Sequence, residues 1–124
     1  MKQLSNYIKI IPLDYFESFD GSVISGSVEP DLILSKNDLI LKETPKKNDA
    51  GIYYDQKLTV ITLKLSDTIR KLYQNRRTVV VLLYDDNGAP YIWGSDLYRL
   101  RITITPNIDE DSLELESTST SPLF

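Results

Sequence analysis

A chain of 124 residues is the size of one domain, long enough to bury a single core and short for two. The absence of cysteine and histidine excludes disulfides, thiolate nucleophiles, Cys/His metal sites and the commonest general base, which removes most enzyme mechanisms though not carboxylate pairs or oxygen-ligated cations. A net charge of −4 argues against a duplex-binding module, and no run approaches the roughly 18 apolar residues of a membrane span.

The start, Met1-Lys2-Gln3-Leu4, lacks the apolar core of a signal peptide, so the chain is expected to stay in the compartment of its synthesis or to be released from it by lysis. Residues 7–12 read as a first strand that Pro12 ends, and Tyr15, Phe16 and Phe19 follow as candidate core. Residues 21–28 alternate small and apolar side chains around Gly21 and Gly26, which suits a bent strand or a loop. Residues 38–43 form the next expected strand, and the polar run at 45–51 predicts an exposed loop or hairpin tip. Residues 58–65 give a strong strand signal, whose apolar positions change parity at Val60 and Ile61 and so predict a β-bulge.

Ser66 is a natural N-cap and Asp67 suits the positive end of a helix dipole. With Ile69, Leu72 and Tyr73 at helical spacing, they predict one helix over 66–76 with Arg70, Lys71 and Arg76 facing out. Residues 78–84 are too continuously apolar for a half-exposed strand, so they should be central and covered on both faces, by the helix on one of them. Asp85-Asp86-Asn87-Gly88 then supplies an Asn-Gly pair that favours a tight type I′ turn into the partner strand 90–93. After a second turn at Gly94, residues 97–105 alternate cleanly and complete an antiparallel meander. An acidic turn leads to a last alternating strand ending at Glu116. The expected organisation is one β-rich domain over residues 1–116 with an extended Ser/Thr-rich tail over 117–124. The fold class is mostly β: an antiparallel β-sandwich or partly open barrel with one short α-helix packed on it.

None of the constellations points to catalysis. Asp85 to Gly88 lacks the alternating ligands and distal Glu of a calcium loop. Asp109, Glu110, Asp111, Glu114 and Glu116 read as a solvated acidic surface, whereas an acid/base pair needs a desolvated carboxyl. The expectation is therefore a protein that is not an enzyme, with no catalytic, cofactor or metal site. Arg70, Lys71, Arg76, Arg77, Arg99 and Arg101 form the basic counterpart. Tyr98 beside Arg99 and Arg101 also admits an alternative, an OB-like module that binds single-stranded nucleic acid. Trp93 in its alternating strand reads as core.

The hydrophobic strand 79–84, the Asp-Asn-Gly turn, the aromatic strand ending at Gly94 and the short polar tail resemble a pattern in small virion proteins of tailed bacteriophages. The Tyr/Ile/Asn/Lys-rich flavour is similar to that of phages of gut Bacteroidetes, and the likeness covers about residues 58–124. The resemblance implies a tail, neck or connector subunit in a ring around a DNA channel, located in the virion and, during assembly, in the host cytoplasm. It carries no catalytic or binding residue, and it leaves the N-terminal half as a candidate lineage-specific insertion. Its implied partners are further copies of the chain and other phage structural proteins, with no membrane and no specific nucleic-acid contact beyond lining the channel.

A ring subunit needs unlike, complementary faces. The candidate interface residues are the basic set Arg70, Lys71, Arg76, Arg77, Arg99 and Arg101, the acidic set Asp109, Glu110, Asp111, Glu114 and Glu116, and the tail end Pro122, Leu123 and Phe124.

Overall fold

The apolar run expected to be central is central. In a computed structural model, which describes residues 4–20, 24–75, 77–95, 97–120 and 122–123, β7 (Thr78–Asp85) has every residue from 79 to 83 buried. Its flanking strand is β1 (Leu4–Pro12), antiparallel, with Ile10 opposite Val81. The opposite edge of β7 is shared by β8 (Pro90–Trp93) and by the start of β9 (Leu100–Pro106). The expected meander is therefore corrected: β9 does not pair with β8 but returns to Thr78 and Val79, then pairs with β10 (Glu110–Ser119). Beyond β10 lie β6 (Gly51–Leu63) and β5 (Lys42–Asn48), and beyond β1 lies β4 (Asp31–Leu34). The eight strands make one antiparallel sheet that is not closed into a barrel, with one α-helix among the described residues, as the fold class anticipated.

Two clusters cover the two faces of β7. Val79, Val81 and Leu83 join the main core with Ile8, Ile10, Leu58, Val60, Trp93, Leu100, Ile102, Leu113 and Leu115. At ~1.5–3 kcal/mol for each large aliphatic or aromatic side chain removed from water, this cluster is the dominant source of stability. The helix α1 (Asp67–Asn75) belongs to this side: Tyr73 is buried, and Ile69 and Leu72 pack on the cluster. Its N-cap is as expected, with Ser66 Oγ accepting from Ile69 N–H at 3.3 Å.

The other face of β7 is sealed by the N-terminal excursion. This consists of a 3-10 turn (Leu13–Tyr15) and a small two-stranded sheet of β2 (Phe16–Phe19) and β3 (Ile24–Gly26). Tyr15, Phe16 and Phe19 pack there on Ile11, Ile24, Val80 and Leu82. The N-terminal half is thus half of the packing around the central strand; part of its expected 21–28 element, residues 21–23, lies outside the described residues. Close approach is built in at Gly26, where a Cβ would collide with the Tyr15 carbonyl oxygen.

Several local expectations are corrected. β6 pairs with β10 in one unbroken register from Glu110↔Leu63 to Ser119↔Tyr54, so there is no bulge at Val60 and Ile61. The parity change has another cause: Leu58, Val60 and Thr62 point inward, while the outward positions Ile61 and Leu63 also happen to be apolar. The strand expected at 38–43 begins only at Lys42, and the strand β4 at residues 31–34 was not anticipated. Of the two readings of the polar run at 45–51 the hairpin tip holds: it is the exposed end of β5 and its turn into β6, with Asn48 opposite Gly51.

The hairpin between β7 and β8 is not type I′, because among the described residues no non-glycine has positive φ. Gly88 alone, at φ +84°, takes the left-handed conformation. Gly88 N–H donates to Asp85 O and Asp85 N–H to Ala89 O, each at 3.0 Å, which makes a three-residue loop of the bulged kind. The buried Asp85 carboxylate holds it, accepting from the N–H groups of Asn87 at 2.9 Å and Ala89 at 2.8 Å.

The tail boundary also moves. Ser117, Thr118 and Ser119 continue β10 opposite β6, and Ser117 is buried. Leu123 then packs on the core, its N–H donating to Glu43 Oε2 at 2.7 Å.

Candidate functional site

Only part of the candidate interface set gathers, in three places: a groove, a turn and a buried ion-pair cluster. Arg99, Arg101 and Glu116 come together in an open groove of about 540 Å³ that runs along β10 between β9 and β6, with Asp55, Lys57, Leu97 and Thr118 completing it. The register explains the gathering: Glu116 is paired with Arg101 on one side and Lys57 on the other, so three charged side chains stand in a row across the outer face. Among the described residues, Arg99 and Arg101 make no ion pair, whereas Asp55 is held by Lys46 at 2.7 Å. That contact raises the Lys46 pKa, through the hydrogen bond first and the carboxylate charge second. Lys57 and Asp55 escaped the sequence reading, and the signal that finds them is their place in β6 opposite known β10 residues.

At the far end of the same ladder is the turn from β9 to β10, closed by Asn107 N–H donating to Glu110 O at 2.9 Å. Asp109 is exposed there, Ile108 is 94 % exposed, and Glu110 is bridged to Lys36 at 3.0 Å.

Asp111 and Arg70 require correction. Asp111 is not part of a solvated acidic surface: its side chain is 0 % exposed. Asp111 Oδ2 accepts from Leu65 N–H at 2.9 Å, Oδ1 lies 3.1 Å from Lys64 Nζ, and Arg70 Nη2 approaches to 3.6 Å. Burial opposes ionisation of Asp111, but the Leu65 N–H and the Lys64 and Arg70 charges together outweigh it and hold the carboxyl below its ordinary value. Arg70 accordingly does not face out from the helix: it folds back over Asp111, and Nη2 also donates to Leu65 O at 3.1 Å. These residues staple the start of α1 to β10, and so they are structural.

The remaining candidates do not converge. Lys71 and Arg77 are exposed on and after α1, and Glu114 stands outward in mid-β10 between Thr59 and Thr103. Pro122 is exposed and Leu123 half-buried, and together they line a cleft of about 250 Å³ with Trp93, Gln56 and Tyr98. Arg76 and Phe124 lie outside the described residues. Trp93 is core, as expected, and its indole N–H donates to Gln56 Oε1 at 2.9 Å. Gln56 Nε2 in turn donates to Glu43 Oε2 at 2.9 Å, the same oxygen that Leu123 N–H reaches. The tail end is therefore tied to its own domain through a buried amide.

Tyr98, the aromatic half of the nucleic-acid alternative, has its hydroxyl 2.6 Å from Thr120 Oγ1 and lines the tail cleft, not the arginine groove. Among the described residues no group of three or more acidic side chains is arranged to hold a metal ion, and no helix is long and apolar enough to cross a membrane. No protein-family model matches the chain, and neither a curated protein nor a solved structure gives a significant match.

Proposed function

We propose that the protein is a non-enzymatic structural subunit that works through contacts with other subunits, of the tail, neck or connector type found in tailed-phage virions. The observation that supports this reading is the ribbon formed by β5 and the first half of β6. Residues 44–52 are exposed throughout, Ile52 beside the ribbon's tip on β6 is 58 % exposed, and the described cores draw nothing from this stretch. Beyond Tyr54, the last β6 residue paired with β10, the tip of the ribbon is two-stranded, and such a hairpin, marginally stable in water by itself, gains by docking against a neighbour. Pro45, Lys46 and Lys47 along its free edge discourage indiscriminate strand pairing, which suits an arm meant for one partner.

The groove supports the same reading over the nucleic-acid one. It interleaves Asp55 and Glu116 with Arg99, Arg101 and Lys57, and such alternation opposes a phosphate backbone while favouring a protein surface of mixed charge. The test is twofold: sedimentation of the full chain over rising concentration, and mass spectrometry of phage particles from cultures that express it. Self-association or incorporation into particles is the expected result. A chain that stays monomeric at the highest concentration and is missing from the particles overturns the reading.

A further inference from the structure

We infer that the groove between β6 and β9 receives the β9–β10 turn of a second copy of this chain, so that copies join head to tail along the direction of β10. The inference rests on the assembly reading above and names the contact through which assembly proceeds.

Three observations carry it. The first is chemical complementarity. The turn presents one nearly fully exposed aliphatic side chain, Ile108, beside the exposed carboxylate of Asp109, which forms no ion pair among the described residues. The groove presents one exposed aliphatic side chain, Leu97 at 78 %, beside the guanidinium groups of Arg99 and Arg101, equally without ion pairs among the described residues. Each surface thus sets an apolar anchor beside charge of opposite sign, Asp109 on the turn and Arg99 and Arg101 in the groove, where Lys57 with the two arginines outnumbers Asp55 and Glu116.

The second observation is shape. The turn is a narrow tip of two residues between Asn107 and Glu110, and the groove is open and lined by residues of β6, β9 and β10. The third is placement. Asp111 pairs with Pro106 beside the turn, and Glu116 pairs with Arg101 in the groove, five positions further along the same regular ladder. At ~3.4 Å per residue the two surfaces are about 17 Å apart on a rigid pair of strands, so a chain cannot fill its own groove with its own turn. The contact must be made between copies. Because the two surfaces differ, it is heterologous, and its repetition closes a ring or extends a filament.

The test uses the full chain and two surface variants. Arg99→Glu with Arg101→Glu spoils the groove, and Ile108→Ser with Asp109→Ser spoils the turn without giving it a charge that the reversed groove would attract. Wild type should self-associate, less so as salt rises. Each double variant alone should associate on the order of 100-fold more weakly, the scale expected for removing or reversing charges in a desolvated contact. The two variants mixed should form one-to-one dimers and nothing larger, since one contributes an intact turn and the other an intact groove; this mixture also proves that both are folded. Two results overturn the inference while leaving the structural-subunit reading intact: variants that assemble as wild type does, or a mixture that stays monomeric while wild type assembles. A monomeric wild type also overturns the inference, and the particle composition then decides the broader reading separately.

Discussion

Asp31-Leu32-Ile33-Leu34 and Asp38-Leu39-Ile40-Leu41 are the same tetrapeptide, and the fold uses them in opposite ways. The first is β4, paired with β1; Ile33 is buried, and Leu32 and Leu34 are 55 % and 61 % exposed. The second is irregular; Leu39 and Leu41 are buried in the main core, and Ile40 is 44 % exposed. The offset of seven positions is odd, so even an unbroken strand would turn the second copy to the other face.

What replaces strand pairing in the second copy is one side chain. Asn37 Oδ1 accepts from Ile61 N–H at 2.9 Å and Asn37 Nδ2 donates to Thr59 O at 3.1 Å, so its amide serves β6 as a neighbouring peptide group would. Lys36 N–H adds a bond to Ile61 O at 2.6 Å. The acidic leaders differ too. Asp31 Oδ2 lies 2.7 Å from the Tyr73 hydroxyl, while Asp38 is exposed. Burial first, and then this hydrogen bond, push the Tyr73 phenol well above its ordinary pKa, which keeps it protonated as a donor. The lesson is that identical local chemistry is oriented by its long-range partners.

The comparison is broken most severely at the buried members. Ile33→Ala and Leu39→Ala should each cost ~2–5 kcal/mol in urea unfolding, while Ile40→Ala, chemically identical to the first, should cost far less. Equal losses at Ile33 and Ile40 would show the two copies to be oriented alike. Next in size is Asn37→Ala, which strips both bonds to β6 and should cost ~1–3 kcal/mol, with faster amide exchange confined to the Ile61 region. Tyr73→Phe removes the link to Asp31 and should cost ~0.5–1.5 kcal/mol, whereas Asp38→Asn should leave the melting temperature unchanged. Smallest are Leu32→Thr, Leu34→Thr and Ile40→Thr, each expected within ~0.5 kcal/mol of wild type; a larger loss would mean that those side chains are covered in solution, as by a second copy.

Legibility in the sequence follows the range of the forces involved. Continuous hydrophobicity in β7, alternation in β9 and β10 and the Ser66 cap on α1 depend on near neighbours, and each was readable. Asp111 was not: it sits among Asp109, Glu110, Glu114 and Glu116 in sequence, but only the packing of Lys64, Leu65 and Arg70 from the α1 side makes its burial tolerable. The type I′ expectation failed for a related reason. Asn-Gly permits that turn, but the Asp85 carboxylate, itself buried, organises a longer one. For the candidate site, Arg99, Arg101 and Glu116 were named from sequence as separate basic and acidic sets, and their meeting with Lys57 needed the β6–β10–β9 register.

By itself, then, the sequence determined the β-rich class, the one helix, the central strand and the chemistry available, because propensity, periodicity and the lack of His and Cys are properties of single residues and short windows. The tertiary structure decided which copy of a repeated tetrapeptide faces inward, which carboxylate is buried and which charges share a groove. Those outcomes depend on pairing between residues tens of positions apart, where a one-residue change of register exchanges the two faces of a strand.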